Sequence, residues 1–199
     1  MPPRAAAVGC RAHTGWAAIV VVAGTFERPE ILLRRRVELV DPDGRVRRNV
    51  YQAARGLESS EAAVRVDTGQ RIAAEQASAA LGQVVCEAKD EGGFVRSCGV
   101  VVGAFDGAPL ASILASHALA HAAEGRLYQQ ALLRGAESVG LDSVAVPKKS
   151  IWEEGGSALG VPEDALRDGI VSLRREIGPP WAEDQKLAAV AAWIALAAR

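Results

Sequence analysis

The sequence predicts an α/β fold: a five-stranded mixed sheet flanked by helices, with elements in the order βββαβαβα. Three observations predict it. Three apolar, β-rich runs lie within the first forty residues. Two further apolar runs, at 94–105 and 141–147, each follow a long stretch of helical period. The last stretch is an alanine-rich run that is apolar almost all round. Strands joined by short turns pair antiparallel, and strands separated by helices belong to layered α/β architectures. The chain has 199 residues, 49% hydrophobic and 24% charged, enough for one good-sized core. With no repeat, low-complexity tract or linker, one domain over 1–199 is expected.

The elements follow in order. "AAAVGC" and "WAAIVVVAG" read as strands either side of the turn "RAHTG", and "PEILLRRRVELVD" as a third strand that stops at "DPDG", a strong turn signal. Residues 46–58 read as a polar connector with one short helix around "VYQAARGL". A helical period runs from 60 to 89 and ends at "DEGG". "FVRSCGVVVGAF" (94–105) has the continuous apolar run of a central strand. The stretch 109–139 is one helix or two, with Gly125 as the candidate break. "LDSVAVP" is a fifth, short strand. "SIWE" at 150–153 has the form of a capping box. "PEDALRDGIVSLRREIG" carries the stripe Leu166, Ile170, Leu173 and Ile177, and the last helix begins near Pro180.

Net charge is −1, so the chain lacks the strong basic excess common in nucleic-acid binders, although local basic patches remain open to it. The three cysteines, Cys10, Cys86 and Cys98, are widely spaced and form no CxxC. This argues against a disulfide framework. The opening residues hold too short an apolar stretch for a signal peptide, and no apolar run reaches the ~20 residues of a membrane span. A cytoplasmic location, with no membrane partner, is expected.

His117, His121 and Glu124 are spaced i, i+4, i+7 and so share one helical stripe. Two histidines one turn apart, with a carboxylate a turn on, have ligand spacing for zinc or a similar ion, but no HExxH accompanies them. The bland reading is a pair of exposed or backbone-bonded histidines. His13, in the first turn, is a further candidate metal ligand. Arg11, Arg34, Arg36, Lys148 and Lys149 could together bind phosphates, and equally could be a solvated face or strand edge. Cys10 has His13 nearby but no triad signature, and reads as a buried strand residue. The four tryptophans read as packing residues, and neither a P-loop nor GxGxxG occurs.

Several strings, taken in order, resemble RuvC-like Holliday-junction resolvases of the ribonuclease H-like superfamily. They are "TGWAAIV"; then "HAAEGRLYQQALLRGAESVGLDSVAVPKKSIWE", with its small-residue helix, short strand and Lys148–Lys149 pair; then "WAEDQKLAAVAAWIAL". The resemblance implies a ribonuclease H-like fold and, in an active member, four acidic positions holding two divalent metals that activate water on a phosphodiester. Magnesium in such a role prefers carboxylates. The first-strand acid falls close to 8–10, where there is none, and the fourth-strand acid near Val102, with Asp106 a few residues on. In the last helix the two acids fall on Glu183 and near Lys186, with Asp184 between. Glu183 and Asp184 read equally as acids that complement a helix N-terminus.

The leading expectation is a divergent RuvC-like protein with a degraded nuclease centre, in a nucleic-acid-binding or structural role. One alternative is a working metal-dependent phosphodiesterase in which Asp106, Glu183 and Asp184 act with His13 or His117; such mixed ligands favour manganese or zinc over magnesium. Another is a protein-interaction module. The expected partners are DNA or RNA and a second copy of the chain.

Overall fold

The computed structural model describes residues 4–198; residues 1–3 and 199 of the expected domain lie outside the described residues. Strands β1 (Arg4–His13), β2 (Trp16–Gly24) and β3 (Pro29–Glu38) form an antiparallel meander. The short helix α1 (Val50–Ala54) and the 32-residue α2 (Ser59–Asp90) lead to β4 (Gly93–Val102). Then come α3 (Leu110–Ala115), α4 (His117–Ser138), β5 (Asp142–Pro147), α5 (Ile151–Leu159), α6 (Glu163–Ser172), α7 (Arg174–Ile177) and α8 (Glu183–Ala197). The sheet order is β3-β2-β1-β4-β5, with β4 and β5 parallel to β1. The sheet is five-stranded and mixed, as the sequence predicts.

Side chains of β1 alternate between two cores, as the pleat requires. Ala6, Val8, Cys10 and Ala12 face the core shared with α2 and α4, and Ala7 faces the core built on α8, α5 and α6. Both faces of the central strands are therefore dry, which is why their runs are continuous rather than alternating. Cys10 and Cys98 are buried with their Sγ atoms 3.8 Å apart across β1 and β4. Hydrogen bonding between them and burial push the Cys10 thiol up, away from reactive thiolate character. Among the described residues no helix is long and apolar enough to cross a membrane.

Several local boundaries differ from expectation. β1 continues through Arg11–His13, leaving only Thr14–Gly15 as the turn. Gly15 takes φ +87° there, a conformation that favours glycine in tight hairpins. The polar residues that read as a turn are strand residues at the sheet end. β4 stops at Val102 rather than 105. The 109–139 stretch breaks at Ser116, not Gly125: the Ser116 side chain accepts from the Leu119 N–H and caps α4. The Ser150 capping box does not form, because its hydroxyl donates to Glu154 instead of accepting from backbone. The 162–178 helix divides at Leu173 into α6 and α7, and α8 starts at Glu183 rather than near Pro180.

Candidate functional site

The parallel strands β1, β4 and β5 end on one edge of the sheet, and α8 begins there. Helix α8 lies directly on β1 and β4 because both strands present glycine to it. A Cβ at Gly9 would stand 1.7 Å from the Ala188 carbonyl oxygen and 2.8 Å from the Ala192 nitrogen; one at Gly99 would stand 2.0 Å from the Ala191 oxygen. Ala188, Ala191 and Ala192 of α8 are fully buried. Gly9, within the stretch 8–10 where the sequence lacks an acid, thus has no space for any side chain.

One step further along the same face of β1 come Arg11 and His13. Asp184, in the first turn of α8, meets both: His13 Nε2 is 2.8 Å from Asp184 Oδ1, and Arg11 Nε is 3.9 Å from the same oxygen. Arg11 Nε is buried without a hydrogen bond, so the carboxylate charge is its compensation. The His13 ring stacks on Trp16 at 4.3 Å, nearly parallel, and the Arg36 guanidinium lies over Trp16 at 4.2 Å. Trp16 sits on β2 between the strands that carry these two neighbours. Arg36 is also paired with Glu38 at 2.9 Å. The result is a row across the sheet edge, Asp184–His13–Trp16–Arg36–Glu38, in which each charge has an answer.

The other expected site residues are spread out. Asp106 is exposed in the loop after β4, and Glu183 is exposed at the start of α8. Lys148 and Lys149 are exposed just past β5, on the same sheet edge, with the Lys148 N–H donating to Val102. Arg34 points at the approach to α8, and its guanidinium donates to the carbonyls of Ile177, Gly178 and Pro180 at 2.7–3.0 Å. His117 and His121 are exposed on the first turns of α4. Glu124 is turned inward: its carboxylate accepts from the Val50 and Gln52 N–H groups at 3.0 and 3.1 Å, and burial pushes its pKa up. Among the described residues no group of three or more His, Cys, Asp or Glu side chains converges to hold a metal ion. The donors present do not fit a two-metal centre: the stretch 8–10 on β1 carries no carboxylate, and Asp184 already meets His13 and Arg11.

Sequence reasoning missed the segment 41–52. The buried Asp41 carboxylate accepts from the N–H groups of Asp43, Arg45 and Val46, the Tyr128 hydroxyl donates to the Arg48 carbonyl at 2.6 Å, and Glu124 holds the start of α1. The apparent connector is pinned at both ends. The available signal was the run "DPDGRVRRN" together with two polar residues, Glu124 and Tyr128, one turn apart in an otherwise apolar helix.

No protein-family model matches the chain, and no curated protein matches it. Among solved structures it is similar to Thermus thermophilus RuvC in complex with a Holliday junction substrate, at 14% identity and TM-score 0.51, covering 95% of this chain and 90% of that one. It is equally similar to a second Thermus thermophilus RuvC structure, at 14% identity and TM-score 0.51, covering 95% and 92%. The chain therefore has the ribonuclease H-like fold, arranged as in RuvC.

Proposed function

We propose that the chain binds nucleic acid along the sheet edge where β1, β4 and β5 end, and does so without two-metal phosphodiester cleavage. The observation that carries this reading is the packing at Gly9 and Asp184. Two-metal cleavage needs carboxylates converging on a pair of cations. Here the stretch 8–10 carries no carboxylate, the α8 backbone covers Gly9 within it, and Arg11 and His13 occupy Asp184, the acid next to Glu183.

Support for nucleic acid as the ligand comes from the edge itself. Lys148 and Lys149 are exposed at one side and Arg36 at the other, while Arg11 between them is held by Asp184. The adjacent strands of a sheet lie ~4.8 Å apart, so these cations span the edge on the scale of several phosphate spacings of a strand, ~3.4 Å each. The similar RuvC was solved with a Holliday junction, which makes a branched duplex the first probe. Arg34 is left out of this surface because its donors are taken by backbone carbonyls.

The test mixes the purified chain with a labelled four-way junction and with linear duplex, in magnesium, manganese, zinc or chelator. The expected result is a mobility shift that weakens steeply with salt, is diminished in Lys148→Glu/Lys149→Glu, and is accompanied by no cleavage. Metal-dependent cleavage that disappears in Glu183→Gln and Asp184→Asn would overturn the proposal in favour of a rebuilt nuclease centre. Neither shift nor cleavage would favour a protein partner.

A further inference from the structure

The segment 41–52 borders a cavity that the sheet-edge reading does not use. It measures about 230 Å³ and lies between this segment and the first turns of α2, lined by Arg45, Val46, Arg47, Val50, Val64 and Arg65 among others. Its walls are chiefly apolar and cationic, with the one carboxylate of the lining, Glu61, paired to Arg65. Val46, Val50 and Val64 give an apolar floor, and Val64 is 67% exposed, the most exposed large hydrophobic among the described residues. Three guanidinium groups form the rim. Arg45 is paired with Asp41 and Asp43, and Arg65 with Glu61. Arg47 is exposed and makes no hydrogen bond or salt bridge among the described residues. A guanidinium with free donors beside an exposed apolar floor suits a ligand with a flat apolar part and an oxyanion.

Size and position narrow the ligand. The cavity falls below the ~300–1,000 Å³ of sites for drug-sized molecules, so it fits one ring system rather than a dinucleotide cofactor. It also adjoins the proposed binding edge. Trp16 pairs with Glu38 at the end of β3, the Leu39 N–H donates to Gly15, and Arg48 packs against the β1–β2 turn. A strand lying on that edge would continue over Arg48 and Arg47 to the cavity mouth. The backbone bonds from Asp41, Tyr128 and Glu124 fix the segment in advance, which lowers the ordering cost of binding.

We infer that this cavity takes one unpaired nucleotide of a bound strand, its base on Val46, Val50 and Val64 and its phosphate on Arg47. The inference rests on the nucleic-acid reading above and adds to it a preference for single-stranded or branched substrates. The test uses the full chain with ¹³C-labelled valine methyls, titrated with AMP, adenosine, inorganic phosphate and a short poly-adenine strand, alongside binding assays with that strand and with linear duplex. AMP and the strand should shift the Val46 and Val64 methyls, with adenosine and phosphate each weaker. Val64→Glu and Arg47→Glu should each weaken strand binding at least about tenfold, and Val64→Glu should leave duplex binding as it was. Val64 is exposed, so this variant tests the site without disturbing the core. Strand binding with still methyls and an unaffected Val64→Glu would overturn the cavity as a base site while leaving the edge intact. Failure of every oligonucleotide to bind would overturn both.

Discussion

The α8 face of the sheet and the α4 face treat polar groups in opposite ways. On the α8 face the cationic side chains are engaged: Asp184 sits between Arg11 and His13, Arg36 between Trp16 and Glu38, and Arg34 is held by three carbonyls. On the α4 face the buried acids answer backbone instead. Asp41 and Glu124 hold N–H groups of the 41–52 segment, Asp41 with Arg45 beside it, and Arg47 faces water with no hydrogen-bond or ion-pair partner among the described residues. A charge that already has a close partner gains little from a ligand; a charge fixed by its own backbone and unpaired gains more. The comparison locates binding capacity outside the Asp184–Arg36 row, in the exposed Lys148 and Lys149 of the edge and in Arg47 beside it.

The largest effect that would break this contrast is at Gly9. Gly9→Asp would restore an acid to β1, but its Cβ would collide with the α8 backbone at Ala188. Overpacking and a buried carboxylate beside an apolar helix together should cost about 4 kcal/mol. Urea unfolding measures it. A variant as stable as the parent, with a new magnesium-dependent stabilisation, would show that α8 can lift and that the sealed face is not sealed.

Glu124 sharpens the other side. Its pKa is raised chiefly by burial, against the pull of its backbone hydrogen bonds. A carboxyl with a raised folded-state pKa binds its proton more tightly in the native state than in the unfolded chain. The stability it contributes in the protonated form is therefore lost as pH rises from the ordinary glutamate value through the raised one. The difference in unfolding free energy between the parent and Glu124→Gln should fall over that window. The two stability curves, measured from acid to neutral pH, should converge or cross. Parallel curves would mean that the carboxyl does not titrate with folding.

Much of this arrangement was legible in the sequence, and the illegible part has one physical cause. Apolar runs marked the strands along the chain, because a buried strand must be apolar on both faces whatever its partners. The alanines of the last stretch announced a helix buried on several sides. His13 was legible as an edge residue. The distance between two elements was not: nothing local says that Gly9 and Gly99 lie under α8 rather than in a loose strand. Depth along a helix was equally hidden. His117, His121 and Glu124 do share a stripe, but α1 covers only the stretch around Glu124, so the histidines meet water while the glutamate meets backbone. Arg34 and Arg36 share a strand face and differ in what lies above them, three carbonyls in one case and Trp16 in the other.

Asp184→Asn tests the charge pairing at the edge with a smaller effect. The amide keeps one acceptor for His13 but removes the charge that compensates the buried Arg11 Nε. Both partners of the His13 contact are about one-third exposed, so water screens that part. A loss of about 1 kcal/mol is expected, most of it through Arg11. If the pairing instead masks a binding surface, the same variant should bind duplex more tightly at low salt, since Arg11 and His13 are released toward phosphate. Thermal unfolding and a salt series on one protein preparation separate the two effects.

The smallest predicted effect lies at the far end of the same row. Arg36 gains from the face of Trp16 and from Glu38, both contacts on a side chain more than half exposed. An exposed guanidinium over a half-buried indole is worth about 0.5–1 kcal/mol, and an exposed ion pair about as little. Arg36→Gln should therefore lower stability by about 0.5 kcal/mol, near the limit of chemical denaturation. Its diagnostic value is in binding. An arginine fixed in the row should be missed only as one phosphate contact, reducing the salt slope of duplex binding by about one. A loss several-fold larger would mean that Arg36 leaves Trp16 on binding and that the indole face itself meets a base, which would move the base-binding site from the Val64 cavity to the sheet edge.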